Sequence, residues 1–99
     1  MIDLTPAQLK LVQKILSEHV PECEVRAFGS RVTHSAKSYS DLDLAIKGDQ
    51  PIEQRRMNRL IEAFQESDLP FRVDVLDWNE ISESFRNVIE EGYETIGEW

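Results

Sequence analysis

At 99 residues the chain is long enough for a single modest core, so residues 1–99 are expected to form a single domain. The composition, 40% apolar and 30% charged, is that of a soluble globular protein. A formal net charge of −8 argues against a broad surface for long RNA or DNA, which would show a basic stripe, and suits a basic protein partner instead.

Cys23 is the only cysteine, which excludes an internal disulfide and a zinc pattern; a buried thiol in a reducing cytoplasm is expected. The start, MIDLTPAQLK, lacks the basic and then apolar regions of a signal peptide. No apolar run approaches the roughly 20 residues of a membrane helix.

The first helix is announced by Thr5-Pro6-Ala7-Gln8: a cap, a proline suited to the first helical position, and a glutamine that can close a capping box. Leu9, Val12, Leu16 and Val20 recur at helical spacing, with Leu11 and Ile15 widening the stripe, until Pro21 ends it. Glu24 to Phe28 reads as a first strand that turns at Gly29-Ser30. Residues 31–40 are polar and read as a loop or short helical turn. Leu42 to Ile46 reads as a second strand, ended by Lys47-Gly48-Asp49.

A second helix is expected from about Pro51 to Ser67, with Ile52, Met57, Leu60, Ile61 and Phe64 inward and Arg55, Arg56 and Arg59 on a solvated face. Phe71 to Leu76 alternates as a third strand; Phe71, Val73 and Val75 share one face, and Arg72, Asp74 and Leu76 the other. Asp77 and Glu80 have the spacing of a capping box for a last helix, whose stripe is Ile81, Phe85, Val88, Ile89 and Ile96. Gly92 weakens that helix by about 1 kcal/mol relative to alanine. The expected class is α+β, an α/β sandwich with a small mixed sheet of about three strands and flanking helices.

The chemistry lies between Gly29 and Asp74. Strand side chains alternate, so Asp41 and Asp43 point one way while Leu42, Leu44 and Ile46 point the other. Two carboxylates on one face repel unless something positive sits between them, and oxygen ligands suit Mg²⁺ or Mn²⁺. Asp74, set within Val73-Asp74-Val75, has apolar neighbours that would bring it near a core. A lone carboxylate there costs several kcal/mol unless paired or metal-bound.

Gly29-Ser30, ten residues, Asp41-x-Asp43 and a later strand aspartate, Asp74, resemble the nucleotidyltransferase superfamily of the DNA polymerase β type. More narrowly, GSRVTHSAKSYSDLDLAI is similar to the minimal nucleotidyltransferase (MNT) proteins. The resemblance covers essentially the whole chain and implies a polymerase β palm-like fold. It also implies transfer of a nucleotidyl group from a nucleoside triphosphate, with release of pyrophosphate. Asp41, Asp43 and Asp74 would be the catalytic metal ligands, holding two ions about 3.5–4 Å apart. Gly29 would let the backbone approach the triphosphate, Ser30 would donate to phosphate oxygens, and Arg31 would add charge there. Ser40 is a candidate donor to Asp41. Where the family often has a further glycine in this loop, the chain reads Thr33-His34-Ser35-Ala36, and His34 is a loop histidine.

Within these 99 residues no room is expected for an acceptor-binding domain. MNT proteins pair with a HEPN-family helical toxin, so the resemblance implies an antitoxin that moves AMP from ATP onto that partner. Two alternatives remain at this point: a non-catalytic subunit that masks its partner, through aromatics such as Phe71, Trp78, Tyr93 and Trp99, or an adenylyltransferase for a small molecule.

Overall fold

A computed structural model describes residues 2–97. Eight elements follow in order: α1 (Pro6–His19), β1 (Glu24–Phe28), α2 (Ser30–Thr33), β2 (Leu42–Lys47), α3 (Gln54–Gln65), β3 (Val73–Asp77), α4 (Glu83–Glu90) and β4 (Tyr93–Gly97). The strands form one mixed sheet in the order β3-β2-β1-β4. β1 runs antiparallel to β2 and β4, whereas β2 and β3 are parallel. A parallel pair needs a crossover, and α3 is that crossover.

α1 begins as its sequence dictates. The Thr5 hydroxyl accepts from the Gln8 amide at 3.1 Å, and the Gln8 side chain accepts from the Thr5 amide at 3.0 Å. The inward stripes of α1 (Val12, Ile15, Leu16) and α3 (Met57, Leu60, Phe64) bury one sheet face made of Val25, Ala27, Leu42, Leu44, Ile46, Val73 and Ile96. Cys23 is buried in this core, and burial pushes its thiol pKa up. Arg56 closes the α1–α3 end, donating to the His19 carbonyl at 2.9 Å and pairing with Glu22, while Arg55 and Arg59 stay exposed.

The second sheet face is only partly covered. Ala45, Trp78 and Ile89 form a small cluster there, flanked by Phe28, Ile81 and Tyr93. The Arg26 guanidinium lies over the rings of Trp78, at 4.8 Å, and Tyr93, at 4.3 Å. Phe71 and Trp78 are therefore core residues and Tyr93 is half-buried, while Trp99 lies outside the described residues.

Three expectations need correction. The sheet has four strands, not about three, because Tyr93 to Gly97 pairs with β1 instead of prolonging the last helix. That helix stops at Glu90, and Ile96 is buried against the core from a strand; Gln13 of α1 donates to its carbonyl at 2.9 Å. Asp77 does not cap α4. Its carboxylate accepts from the Ile52 and Asn79 amides, and Ser82 caps α4 by accepting from the Phe85 amide. α3 starts at Gln54, not near Pro51. Among the described residues no helix is long and apolar enough to cross a membrane.

Candidate active site

The half-open sheet face carries the site. Asp43 in β2 stands in register with Phe28 of β1 on one side and with Asp74 of β3 on the other, so Asp43 and Asp74 are neighbours on that face. Asp41, two residues before Asp43, joins them just ahead of the strand. The register brings Asp43 and Asp74 side by side, and Asp41 approaches them from outside the paired residues.

The turn after β1 explains the glycine. Gly29 has φ +81° and ψ −157°, a region that side chains rarely adopt, and a Cβ there would collide with the Asp43 carboxylate. Its carbonyl accepts from the Val32 and Thr33 amides, which winds the single turn of α2 with Ser30 at its first position. We predict that Gly29→Ala costs about 1–3 kcal/mol in a urea unfolding experiment, the range for an enforced backbone strain. It should also displace Asp43.

Arg72 was not foreseen as a site residue, although its placement on the Asp74 face follows from strand alternation. Its Nη2 donates to Asp74 Oδ2 at 2.9 Å and lies 3.2 Å from Asp41 Oδ2. One guanidinium nitrogen therefore sits between two of the three carboxylates. The Asp43 pKa is raised above its ordinary value, first by burial and then by the charges of Asp74 and Asp41, with Arg72 working in the opposite direction. Asp74 is not core-buried as its apolar neighbours suggested. Its side chain is 44% exposed, because β3 is an edge strand and the face it looks onto is uncovered.

Arg31 is 4% exposed and each of its three guanidinium nitrogens donates a hydrogen bond. Nε donates to the Ser40 carbonyl at 3.0 Å, Nη1 to that of Asp3 at 2.8 Å, and Nη2 to that of Ser38 at 3.0 Å and more weakly to that of Lys37 at 3.5 Å. The guanidinium also lies 4.0 Å from the Phe71 ring centroid. The expectation that Arg31 offers charge to phosphates is corrected by this burial: it ties together the segments that lead into Asp41 and Asp74. Ser40 does not serve Asp41 either; its hydroxyl accepts from the Lys37 amide at 2.9 Å. His34 is exposed, in a left-handed conformation that ends α2.

The donor set fits a hard divalent cation: carboxylate oxygens only, on one face, already drawing a guanidinium. As the side chains stand, no three His, Cys, Asp or Glu side chains among the described residues are gathered into a ready-made ligand cluster. Arg72 occupies the gap between Asp41 and Asp74.

A glycine turn admitting no side chain, followed by aspartates on neighbouring strands, defines a class, and the family comparison agrees. The nucleotidyltransferase domain model matches residues 9–95, and the chain belongs to that family. It is 50% identical over 97 residues to the probable protein adenylyltransferase MntA of Haemophilus influenzae, spanning 98% of this chain and 85% of that protein. A crystal structure of a toxin–antitoxin with AMP-PNP superposes with a TM-score of 0.77 at 18% identity, covering 92% of this chain and 73% of the other. A structure of a tri-AMPylated Shewanella oneidensis HEPN toxin in complex with MNT antitoxin gives a TM-score of 0.70 at 20% identity, covering 92% and 70%. At such identities these two likenesses show a shared fold alone.

Proposed function

We propose that the protein is a Mg²⁺-dependent adenylyltransferase that moves AMP from ATP onto a HEPN-type toxin partner, acting as its antitoxin. The observation that carries this reading is the register of Asp43 with Asp74 beside a Gly29 turn that leaves no room for a side chain. The half-identical relative, a probable protein adenylyltransferase matched over 85% of its length, supports the choice of AMP and of a protein acceptor.

Asp41, Asp43 and Asp74 would hold the divalent ions, Mg²⁺ or Mn²⁺, which neutralise the charge gathering on the attacking and leaving oxygens. The acceptor hydroxyl oxygen bonds to the α-phosphorus while the bond to the bridging oxygen of the β-phosphate breaks. Pyrophosphate leaves with that electron pair, and the hydroxyl proton passes to the Asp74 carboxylate. Backbone at Gly29 and the hydroxyl and amide of Ser30 receive phosphate oxygens, an approach that a Cβ would block. Asp41 and Asp74 are 42% and 44% exposed, so the acceptor side is open to a macromolecule that brings its own hydroxyl and closes the site. The acidic surface favours a basic partner over nucleic acid. The lone buried Cys23 supports a reducing cytoplasm as the place of work.

The test is transfer of α-labelled ATP to the HEPN partner with Mg²⁺ present. Label on the partner, lost with Asp41→Asn, is the expected result. A partner that is silenced yet never labelled would instead mean inhibition by masking.

A further inference from the structure

We propose that Arg72 is a resident counter-cation: it holds Asp41 and Asp74 together before substrate binds, yields to the arriving divalent ion, and then grips the triphosphate. The inference deepens the proposed function and rests on its reading of the three aspartates as the ion and nucleotide site.

The geometry is specific. A single nitrogen, Nη2, is within 2.9 Å of Asp74 Oδ2 and 3.2 Å of Asp41 Oδ2. Carboxylates from two separate segments are thereby bridged at the place where shared oxygen ligands would be needed. The side chain is 69% exposed and projects from the residue just ahead of the edge strand β3, so no packing prevents it from leaving. Its two positions cost little to exchange, because each surrounds the guanidinium with anionic oxygen. Without ligand the oxygens are carboxylate; with ligand they are phosphate, which a guanidinium binds through paired, parallel N–H donors.

Free metal must displace Arg72 and leave its charge without a partner. Metal arriving with a nucleotide supplies both the cation for Asp41 and Asp74 and a new anion for Arg72. Binding of ion and nucleotide is therefore synergistic, and the positive charge of Arg72 is the source of the coupling.

The experiment is Mn²⁺ titration followed by electron paramagnetic resonance, in wild type, Arg72→Gln and Asp43→Asn, first without nucleotide. AMP-PNP binding at saturating Mn²⁺ is then measured on wild type and Arg72→Gln. Arg72→Gln is expected to bind Mn²⁺ alone about threefold to tenfold more tightly, the weight of an exposed ion pair or two. It should bind AMP-PNP about tenfold more weakly, and Asp43→Asn should lose the ion. Unchanged or weaker Mn²⁺ binding by Arg72→Gln overturns the counter-cation role while leaving the aspartate site standing. Tighter Mn²⁺ binding with undiminished AMP-PNP affinity overturns the handover to phosphate. No Mn²⁺ binding by wild type or Arg72→Gln, with or without AMP-PNP, removes the aspartate site itself and this proposal with it.

Discussion

Asp43→Asn is expected to lower nucleotidyl transfer by about 10³-fold or more while making the metal-free protein more stable at neutral pH. The first effect follows from position: Asp43 is the middle carboxylate, between the Gly29 turn and Asp74. Loss of one preorganised charged contact to a transition state costs on the order of 10²–10³ in rate, and an ion ligand is at the upper end. The second follows from electrostatics. Burial and the charges of Asp74 and Asp41 make ionised Asp43 unfavourable in the folded chain, so its folded pKa lies above the ordinary 3.8.

A carboxyl raised in this way binds its proton more tightly folded than unfolded. Its contribution is thus neutral below about pH 3.8 and increasingly destabilising as pH rises through the folded value. Asparagine removes the charge and the cost. Unfolding by urea in the presence of EDTA should show the variant equal to wild type near pH 3 and ahead of it at pH 7. A variant less stable than wild type at pH 7 would mean that Asp43 is held by partners other than those described.

Arg31→Met should cost about 2 kcal/mol of stability, since part-buried carbonyls lose charged donors worth ~1.5–3 kcal/mol each, a loss that water partly makes good. The carbonyls of Asp3, Ser38 and Ser40 converge on the one guanidinium, and Phe71 stacks on it. Residues 37–40 are then free to drift, carrying Asp41 with them, so kcat falls as well. Arg31→Lys should restore little, because an ammonium cannot reach carbonyls spread around a planar fork. A phosphate-binding arginine would behave differently, raising the KM for ATP with stability unchanged. Urea unfolding beside steady-state kinetics separates the two roles.

The alternation that put Asp41 and Asp43 on one face, and Asp74 with Arg72, was legible because strand geometry is local. So were the cap of α1 and the need for glycine at position 29. What escaped were features whose partners lie far along the chain. Residues 93–97 satisfy a helical stripe through Ile89 and Ile96 as well as a strand pattern. The choice was made by the edge of β1, which would otherwise present unpaired backbone, and by Gly92 as a break. Asp77 met the spacing of a cap, yet the amide of Ile52, distant in sequence, claimed its carboxylate. Arg31 was assigned to the phosphates because its actual acceptors are backbone carbonyls, which leave no trace in side-chain identity.

Crystals grown with AMP-PNP and Mn²⁺ and measured for anomalous scattering examine the centre of the account. Manganese peaks enclosed by Asp41, Asp43 and Asp74, on the sheet face away from α1 and α3, with the phosphates over Gly29, are the predicted result. Manganese and nucleotide bound at another surface, with the three aspartates still bridged by Arg72, would contradict it.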